Sequence, residues 1–302
     1  MIEILSVKAW ALETRFFNRM APIVLRGLSE GRDLTSLITK QDQLDKPEVE
    51  AGQVYRVGTN LHYSSENGYH YLGDNETAIS RTLLKGTVTK DGGACSYGTK
   101  KLGEKLRIAD ENKNVSAHII EIDSPGGSVD GTPEFASIVA GLSKPVVAFV
   151  DSMAASAAYW IASQTSHIVT NPLNYTEVGS IGTLAIMTNE REYLKKEGIK
   201  VEIMRATKSV DKARLNTVEE WPEASLEEYQ QYLDSINSDF IRAVNKGRNG
   251  KLATYGEDIF TGKMYDQKRA LALGMIDRIG TLEDAIATAR LLSRKAKTKT
   301  TT

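Results

Sequence analysis

The chain has 302 residues, 41% of them hydrophobic, and a formal net charge of −1 at pH 7. This length allows one large or two moderate domains with a sizeable core, and the near-zero charge excludes a general electrostatic attraction to nucleic acid or to an acidic membrane surface. No apolar run approaches the roughly 18 residues of a membrane span, and the acidic Glu3 does not fit a signal peptide, so we expect neither.

Residues 1–80 carry no catalytic motif and are interpreted as an N-terminal extension of unknown role. A helical pattern over residues 20–40 is followed by a polar stretch and by short tyrosine-rich strand patterns with glycine turns. The single cysteine, Cys95, lies in a glycine loop without a base nearby in the sequence, and a lone cysteine is typical of a reducing, cytoplasmic setting. Phosphate-binding glycine motifs are absent from the sequence, and no cofactor or metal is predicted.

Residues 81–293 alternate short apolar strands with helical patterns, which predicts an α/β domain with a largely parallel sheet. A strand over residues 115–122 runs into Ser-Pro-Gly-Gly at residues 124–127, and a helix is predicted over residues 132–142. Adjacent glycines after a strand let backbone N–H groups approach an oxyanion closely. Taken alone, however, Pro-Gly-Gly is equally a plain turn signal.

A second motif centres on Ser156. An apolar strand pattern over residues 144–150 leads into Ala-Ala-Ser-Ala-Ala at residues 154–158, and alanine favours a helix from that point. Ser156 is therefore predicted close to a helix N-terminus, where unpaired N–H groups stabilise a developing negative charge. Close packing of small residues explains the same pattern equally well for an isolated serine.

The order of these two motifs resembles the signal peptide peptidase A family of serine peptidases and its phage capsid-maturation relatives. The resemblance continues through Val-Gly-Ser-Ile-Gly at residues 178–182, Phe-Thr-Gly-Lys at 260–263 and the segment 270–277, and covers roughly residues 84–289. It implies a crotonase-like (ClpP/crotonase) α/β fold built as a spiral of ββα units, with an α+β N-terminal extension.

The resemblance also implies roles for single residues. The family's nucleophile corresponds to Ser156, and its oxyanion N–H groups correspond to those of Gly127 and Ala157. The family usually has Gly-Gly where this chain has Ala157 and Ala158, which keeps the residues small but restricts the backbone.

The general base implied by the resemblance is a lysine, giving a Ser-Lys dyad. No motif supports a base among the four histidines, which are His62, His70, His118 and His167. A lysine that acts as a general base must be neutral, so desolvation has to lower its pKa from the usual value of about 10.4. Two lysines follow a strand-like pattern at residues 200–204. Lys212 is preferred, because it lies four residues before Asn216 and ten before Pro222, a spacing common in the family, and because Ser-Val-Asp-Lys at residues 209–212 resembles the phage-type members. Lys208 has the serine-to-lysine spacing of cellular members and is the second candidate.

Two C-terminal segments complete the pattern. Residues 224–246 repeat apolar side chains at helical spacing, which is typical of a core or subunit interface. Residues 294–302 are basic and of low complexity, and this tail is predicted to be disordered.

The sequence thus predicts a serine endopeptidase that acts on polypeptides through an acyl-enzyme. As the family implies, it would be a homo-oligomeric ring or dome and a phage or prophage capsid maturation protease, with capsid or scaffold proteins as partners in the cytoplasm or prohead. Three alternatives stay open: a cytoplasmic peptidase that degrades signal peptides, an inert structural capsid protein, and an acyl-coenzyme A enzyme on the crotonase fold.

Overall fold

A computed structural model describes residues 10–12, 54–55, 78–93, 96–253 and 256–300. In chain order the strands are β1 (Trp10–Leu12), β2 (Val54–Tyr55), β3 (Ala78–Lys85), β4 (Gly92–Gly93), β5 (Ser96–Tyr97), β6 (Val115–Ser124), β7 (Gly126–Ser128), β8 (Val146–Ala155), β9 (His167–Thr170), β10 (Glu177–Gly179), β11 (Met264–Asp266) and β12 (Arg278–Ile279). The helices are α1 (Thr99–Glu111), α2 (Thr132–Gly141), α3 (Ala157–Ala162), α4 (Arg191–Lys196), α5 (Glu223–Arg248), α6 (Gln267–Ala272) and α7 (Leu282–Thr300).

The main sheet has the order β11-β10-β8-β6-β3-β2, with β9 beside β8 and β12 beside β9. Strands β3, β6, β8, β9 and β10 run parallel, whereas β2 and β11 are antiparallel to their neighbours. Strand β8 has two partners on the same side, because residues 147–150 pair with β9 and residues 153–155 pair with β10. The predicted α/β class with a largely parallel sheet is confirmed, and β6, β7 and α2 form a ββα unit of the expected crotonase-like fold.

The sheet is buried on both faces, which explains why β6 and β8 are mainly apolar. Helices α1, α2, α3 and α5 cover one face, where Trp160 of α3 stacks on Phe240 of α5 with ring centroids 4.5 Å apart. Helix α7 covers the other face with Ala285 and Ala289. Within the described ranges, none of the helices combines the length and apolar character needed to cross a membrane.

Several predicted boundaries change. The proposed division at residue 80 falls inside β3, and the described N-terminal strands pair with the rest of the chain, β1 with β7 and β2 with β3. Helix α7 extends to Thr300 and so includes most of the tail predicted to be disordered, since Arg, Lys and Ala in this stretch favour a helix. The helix predicted at residues 20–40, and also Cys95, His62 and His70, lie outside the described residues.

The strand-like pattern at residues 200–204 does not form a strand. Val201 and Met204 are exposed, and this segment pairs with none of the strands that the structure describes. Strand composition alone is therefore insufficient here, because a strand needs a neighbour to satisfy its backbone groups.

A buried ion pair fixes the end of α5. The Arg248 side chain is fully buried; it lies 2.8 Å from Asp277 Oδ2 and donates to the Gly274 carbonyl from Nε and Nη2. Asp277 also accepts from the Ile168 amide and pairs with Lys251 Nζ at 2.9 Å. Burial alone would raise the pKa of Asp277, but the hydrogen bond and charge of Arg248, with these further donors, lower it to about 2.

We predict that Asp277→Asn lowers the free energy of unfolding at pH 7 by about 3–5 kcal/mol, because it leaves the Arg248 charge buried without its counterion. The folded-state pKa of about 2 lies below the unfolded value, so this stabilisation is present above pH ~4 and lost as the pH falls toward 2. Urea denaturation at pH 7, 4 and 2 measures it.

The matched control is Asp239→Asn, since Asp239 pairs with Arg242 on the exposed face of the same helix. That change should lower stability by less than about 1 kcal/mol. An equally small effect of Asp277→Asn would show that the buried pair is not a major stabilising contact.

Candidate active site

Ser156 lies in a sharp turn between β8 and α3. Its backbone has φ 53 and ψ −118, a conformation that residues with a side chain rarely adopt. The Ser156 N–H donates to the Gly179 carbonyl at 2.7 Å, and the Ser156 carbonyl accepts from the Trp160 N–H at 2.9 Å. The turn is therefore held from the sheet on one side and from the helix on the other.

The surroundings of Ser156 leave little room. The flanking alanines and the serine itself are fully buried in the single chain; the alanines are Ala154, Ala155, Ala157 and Ala158. Ala157 and Ala158 belong to α3, whose backbone alanine favours, so the departure from the family's Gly-Gly creates no strain there. The Ser156 hydroxyl does not cap the helix, and its Oγ lies 3.4 Å from the Gly182 carbonyl oxygen. The hydroxyl thus has no strong structural hydrogen bond in the described part of the chain.

Gly127 lies at the centre of β7, which contacts α3. One edge of β7 is satisfied by Val88, whose N–H donates to the Gly126 carbonyl and whose carbonyl accepts from the Ser128 N–H, both at 2.8 Å. Because backbone groups alternate along a strand, the N–H and C=O of Gly127 face the opposite edge. A Cβ at Gly127 would lie 2.0 Å from the Val88 carbonyl oxygen, so only glycine fits this position.

The later glycine motifs meet at the same place. Gly179 accepts the Ser156 N–H, and the next residue, Ser180, donates its N–H to the Lys263 carbonyl at 2.8 Å. A Cβ at Gly179 would lie 2.5 Å from that carbonyl oxygen, which explains the glycine. The motifs predicted at residues 154–158, 178–182 and 260–263 are therefore in direct contact.

The two candidate lysines lie in the long segment between β10 and α5, which contains one short helix, α4. Lys208 and Lys212 are both exposed in the single chain. None of the hydrogen bonds among the described residues joins either lysine to Ser156. The single chain thus brings together the serine and Gly127 neighbourhoods but not the lysine.

The backbone around Lys212 is held by a polar cluster. Arg205 donates to the Lys212 carbonyl at 2.6 Å and to the Ala213 carbonyl at 3.0 Å, and it pairs with both carboxylate oxygens of Glu219. Asn216 donates to the Ala213 carbonyl and to Glu219. Ala213 has φ 54, so this exposed loop is kept in an unfavourable conformation. We call Arg205, Asn216 and Glu219 the lysine clamp; Lys208 has no comparable support in the described structure.

A second serine lies in a triad-like chain that sequence reasoning did not identify. Ser80 Oγ is 2.6 Å from His118 Nδ1, and His118 Nε2 is 3.0 Å from Asp110 Oδ1. Burial lowers the pKa of His118, although Asp110 opposes this effect. Ser80 lies in the middle of β3 and is 2% exposed, and His118 is 0% exposed, so no polypeptide can reach this serine. The structural role inferred for His118 agrees with this geometry.

Comparison with known proteins identifies the relatives of this chain. Residues 141–296 match the family described as Peptidase family S49; the match includes Ser156 and both lysines, whereas Gly127 precedes it. The chain is 31% identical, over 70% of its length, to a "Putative protease" of Synechocystis sp., of which it covers 74%.

Other relatives are longer than this chain. It is 25% identical to "Protease 4" of Haemophilus influenzae and 32% identical to "Serine protease SPPA, chloroplastic" of Arabidopsis thaliana, over 74% and 70% of its own length. It spans only 36% and 31% of those two proteins. Among solved structures, a ClpP1 mutant from Listeria monocytogenes matches 68% of this chain and 93% of its own, with 12% identity and a TM-score of 0.44.

We predict that Ser156→Gly is more stable than Ser156→Ala by about 1 kcal/mol in free energy of unfolding. Glycine adopts φ 53 without strain, and this relief exceeds its greater loss of chain entropy. Chemical denaturation of the two variants measures the difference.

The control is the same pair of substitutions at Ser163, a fully buried residue at the other end of α3 with helical φ −62. There the glycine variant should be the less stable by about 0.5–1 kcal/mol. The same sign at both positions would mean that the Ser156 turn is not strained.

Proposed function

Because the chain belongs to peptidase family S49, a family of serine peptidases, we propose that it is an endopeptidase in which Ser156 and Lys212 form a catalytic dyad. The observation that carries the proposal is the Ser156 turn, which holds a hydroxyl in a strained backbone without using it to cap the helix. Strain of this kind is concentrated at functional sites, and here the strained serine precedes α3, the helix that contacts the Gly127-containing strand β7.

The chemistry follows from these positions. Neutral Lys212 accepts the proton of Ser156 Oγ as the oxygen attacks a peptide carbonyl, and the N–H groups of Gly127 and Ala157 stabilise the oxyanion. The C–N bond breaks, Lys212 returns the proton to the leaving amine, and water then hydrolyses the acyl-enzyme. Each oxyanion donor contributes about 10²–10³ in rate.

The exposure of Lys212 supports the proposed homo-oligomer. A solvated lysine has a pKa of about 10.4 and is protonated at neutral pH, so a base lysine has to be desolvated. In the single chain Lys212 is exposed, and a neighbouring copy would bury it. Exposed apolar side chains are concentrated around the same segment, namely Ile186, Tyr193, Ile199, Val201, Met204, Val210, Leu226 and Tyr232. A ring or dome of subunits would cover this surface and complete the site.

The biological role we propose is maturation of a phage or prophage capsid, with capsid or scaffold proteins as substrates within the prohead or host cytoplasm. The resemblance of Ser-Val-Asp-Lys at residues 209–212 to the phage-type members supports this role over degradation of signal peptides. An acyl-coenzyme A enzyme would need a carboxylate over the oxyanion donors, and among the described residues no carboxylate bonds to the β7 edge.

We predict that Ser156→Ala and Lys212→Ala each reduce cleavage of an unfolded substrate, β-casein, by at least about 10³-fold, because each removes an indispensable member of the dyad. Lys208→Ala is the matched control and should keep nearly full activity. Gel and mass analysis of timed digests measures the rates. Cleavage that persists in Ser156→Ala would show that Ser156 is not the nucleophile. Loss of cleavage in Lys208→Ala but not in Lys212→Ala would identify Lys208 as the base.

Mixing the two inactive variants tests the oligomer in the same assay. If the serine of one copy uses the lysine of another, an equimolar mixture of Ser156→Ala and Lys212→Ala regains a substantial fraction of wild-type activity. A mixture that stays inactive while light scattering shows a monomer would exclude a shared site.

We also predict that Arg205→Ala lowers kcat by about 10- to 100-fold with little change in KM, since displacement of a catalytic group by about 1 Å has effects of this size. Arg191→Ala is the control, because Arg191 pairs with Glu220 in the same segment without contacting the Lys212 backbone. Equal kcat values for the two variants, at equal melting temperatures, would show that the clamp does not position Lys212.

A further inference from the structure

The outward edge of β7 carries a short strand from the beginning of the chain. Strand β1 pairs with β7 antiparallel, so that Ala11 lies opposite Gly127, with Trp10 opposite Ser128 and Leu12 opposite Gly126. The two strands form a separate two-stranded sheet outside the main one. A segment remote in sequence therefore occupies the edge to which the proposed oxyanion donor points.

The atoms that pair can be deduced. Val88 already uses the Gly126 carbonyl and the Ser128 N–H on the other side of β7. The N–H and C=O of Gly127 therefore face Ala11, and residues opposite each other at such a position exchange both hydrogen bonds. The Ala11 carbonyl thus accepts the Gly127 N–H, and the Ala11 N–H donates to the Gly127 carbonyl.

This arrangement is the one that a substrate strand needs. A scissile carbonyl has to accept the oxyanion N–H, and here the Ala11 carbonyl does so. On the N-terminal side of Ala11, Trp10 lies opposite Ser128; on its C-terminal side, Leu12 lies opposite Gly126. With Gly127 as the proposed oxyanion donor, the Ala11–Leu12 peptide bond corresponds to a substrate's scissile bond.

We propose that residues 10–12 are a polypeptide ligand of this chain's own active site, bound on β7 as a substrate strand with Ala11 as the acyl residue. The inference rests on the proposed function, because it takes Gly127 as the oxyanion donor. Strands β1 and β7 each have three residues, and an isolated two-stranded pairing of this size is weak. Another polypeptide can therefore displace β1, and bound β1 reduces access until it is displaced or cleaved.

Cleavage of the ligand is a balanced hydrolysis. Ser156 Oγ adds to the Ala11 carbonyl carbon, the bond to the Leu12 nitrogen breaks, and the serine proton passes through Lys212 to the Leu12 amine. Water then hydrolyses the ester, which leaves a carboxylate on Ala11 and restores Ser156. The remaining chain begins at Leu12.

The test uses the full chain with two proline substitutions. Ala11→Pro removes the N–H that donates to Gly127, whereas Trp10→Pro removes an N–H that faces away from β7 and is the control. We expect Ala11→Pro to raise kcat/KM for a short reporter peptide by about 3- to 10-fold, the effect of one hydrogen bond, and Trp10→Pro to leave it near the wild-type value. Intact-mass analysis of the wild type for a new terminus at Leu12, absent in Ser156→Ala, is an independent supporting result.

A binding measurement separates this inference from the proposed function. A fluorescent peptide with the sequence of residues 7–14 should bind the Ser156→Ala/Ala11→Pro double variant more tightly than Ser156→Ala alone. If the peptide binds in this way but the wild type cleaves neither casein nor itself, the ligand proposal stands and the proposed peptidase function is wrong. The ligand proposal is wrong if the wild type cleaves casein but not its own chain, and if Ala11→Pro and Trp10→Pro give equal values in both assays.

Discussion

The hydrogen bond from the Ser156 N–H to the Gly179 carbonyl is the contact on which the candidate site depends. It fixes an unfavourable backbone turn, whose strain of about 1–3 kcal/mol has to be offset by the surrounding fold. The offset comes from α3, all of whose residues are buried, and from the stacking of Trp160 on Phe240. The double pairing of β8, first with β9 and then with β10, brings Gly179 to the point where the turn begins.

The proposed nucleophile and the proposed base are held in place by different kinds of structure. Ser156 lies on the rigid end of a buried strand, where packing on every side fixes its position. Lys212 lies in an exposed segment whose shape depends on side-chain hydrogen bonds to carbonyl groups rather than on a core. The proposed dyad would therefore need association with a neighbouring copy to exclude solvent from Lys212, so that proton transfer would depend on quaternary structure.

Much of the sheet could be predicted from the sequence, because parallel strands covered by helices are continuous apolar runs. The strand containing residues 146–150 and the helix after residue 132 follow from such local signals, whereas the meeting of the motifs around Ser156 depends on contacts between segments far apart in the chain. The pairing of β1 with β7 has no local signal, since it joins two three-residue strands far apart in the chain. Residues 200–204 show the reverse error, because their composition favours a strand but no described strand pairs with them. The left-handed backbone of Ala213 likewise depends on Arg205 and Asn216 rather than on its own type.

Strand β7 consists of Gly126, Gly127 and Ser128, and this composition has a consequence for recognition. An edge with almost no side chains distinguishes ligands by backbone conformation rather than by sequence. Once β1 is displaced, as we propose, the freed hydrogen-bonding groups would accept any chain that can extend over three residues, and they would reject helices and paired strands whose backbone groups are already used. Such an edge would therefore select locally unfolded polypeptides. A folded protein would bind here only after one of its segments has lost its own backbone hydrogen bonds.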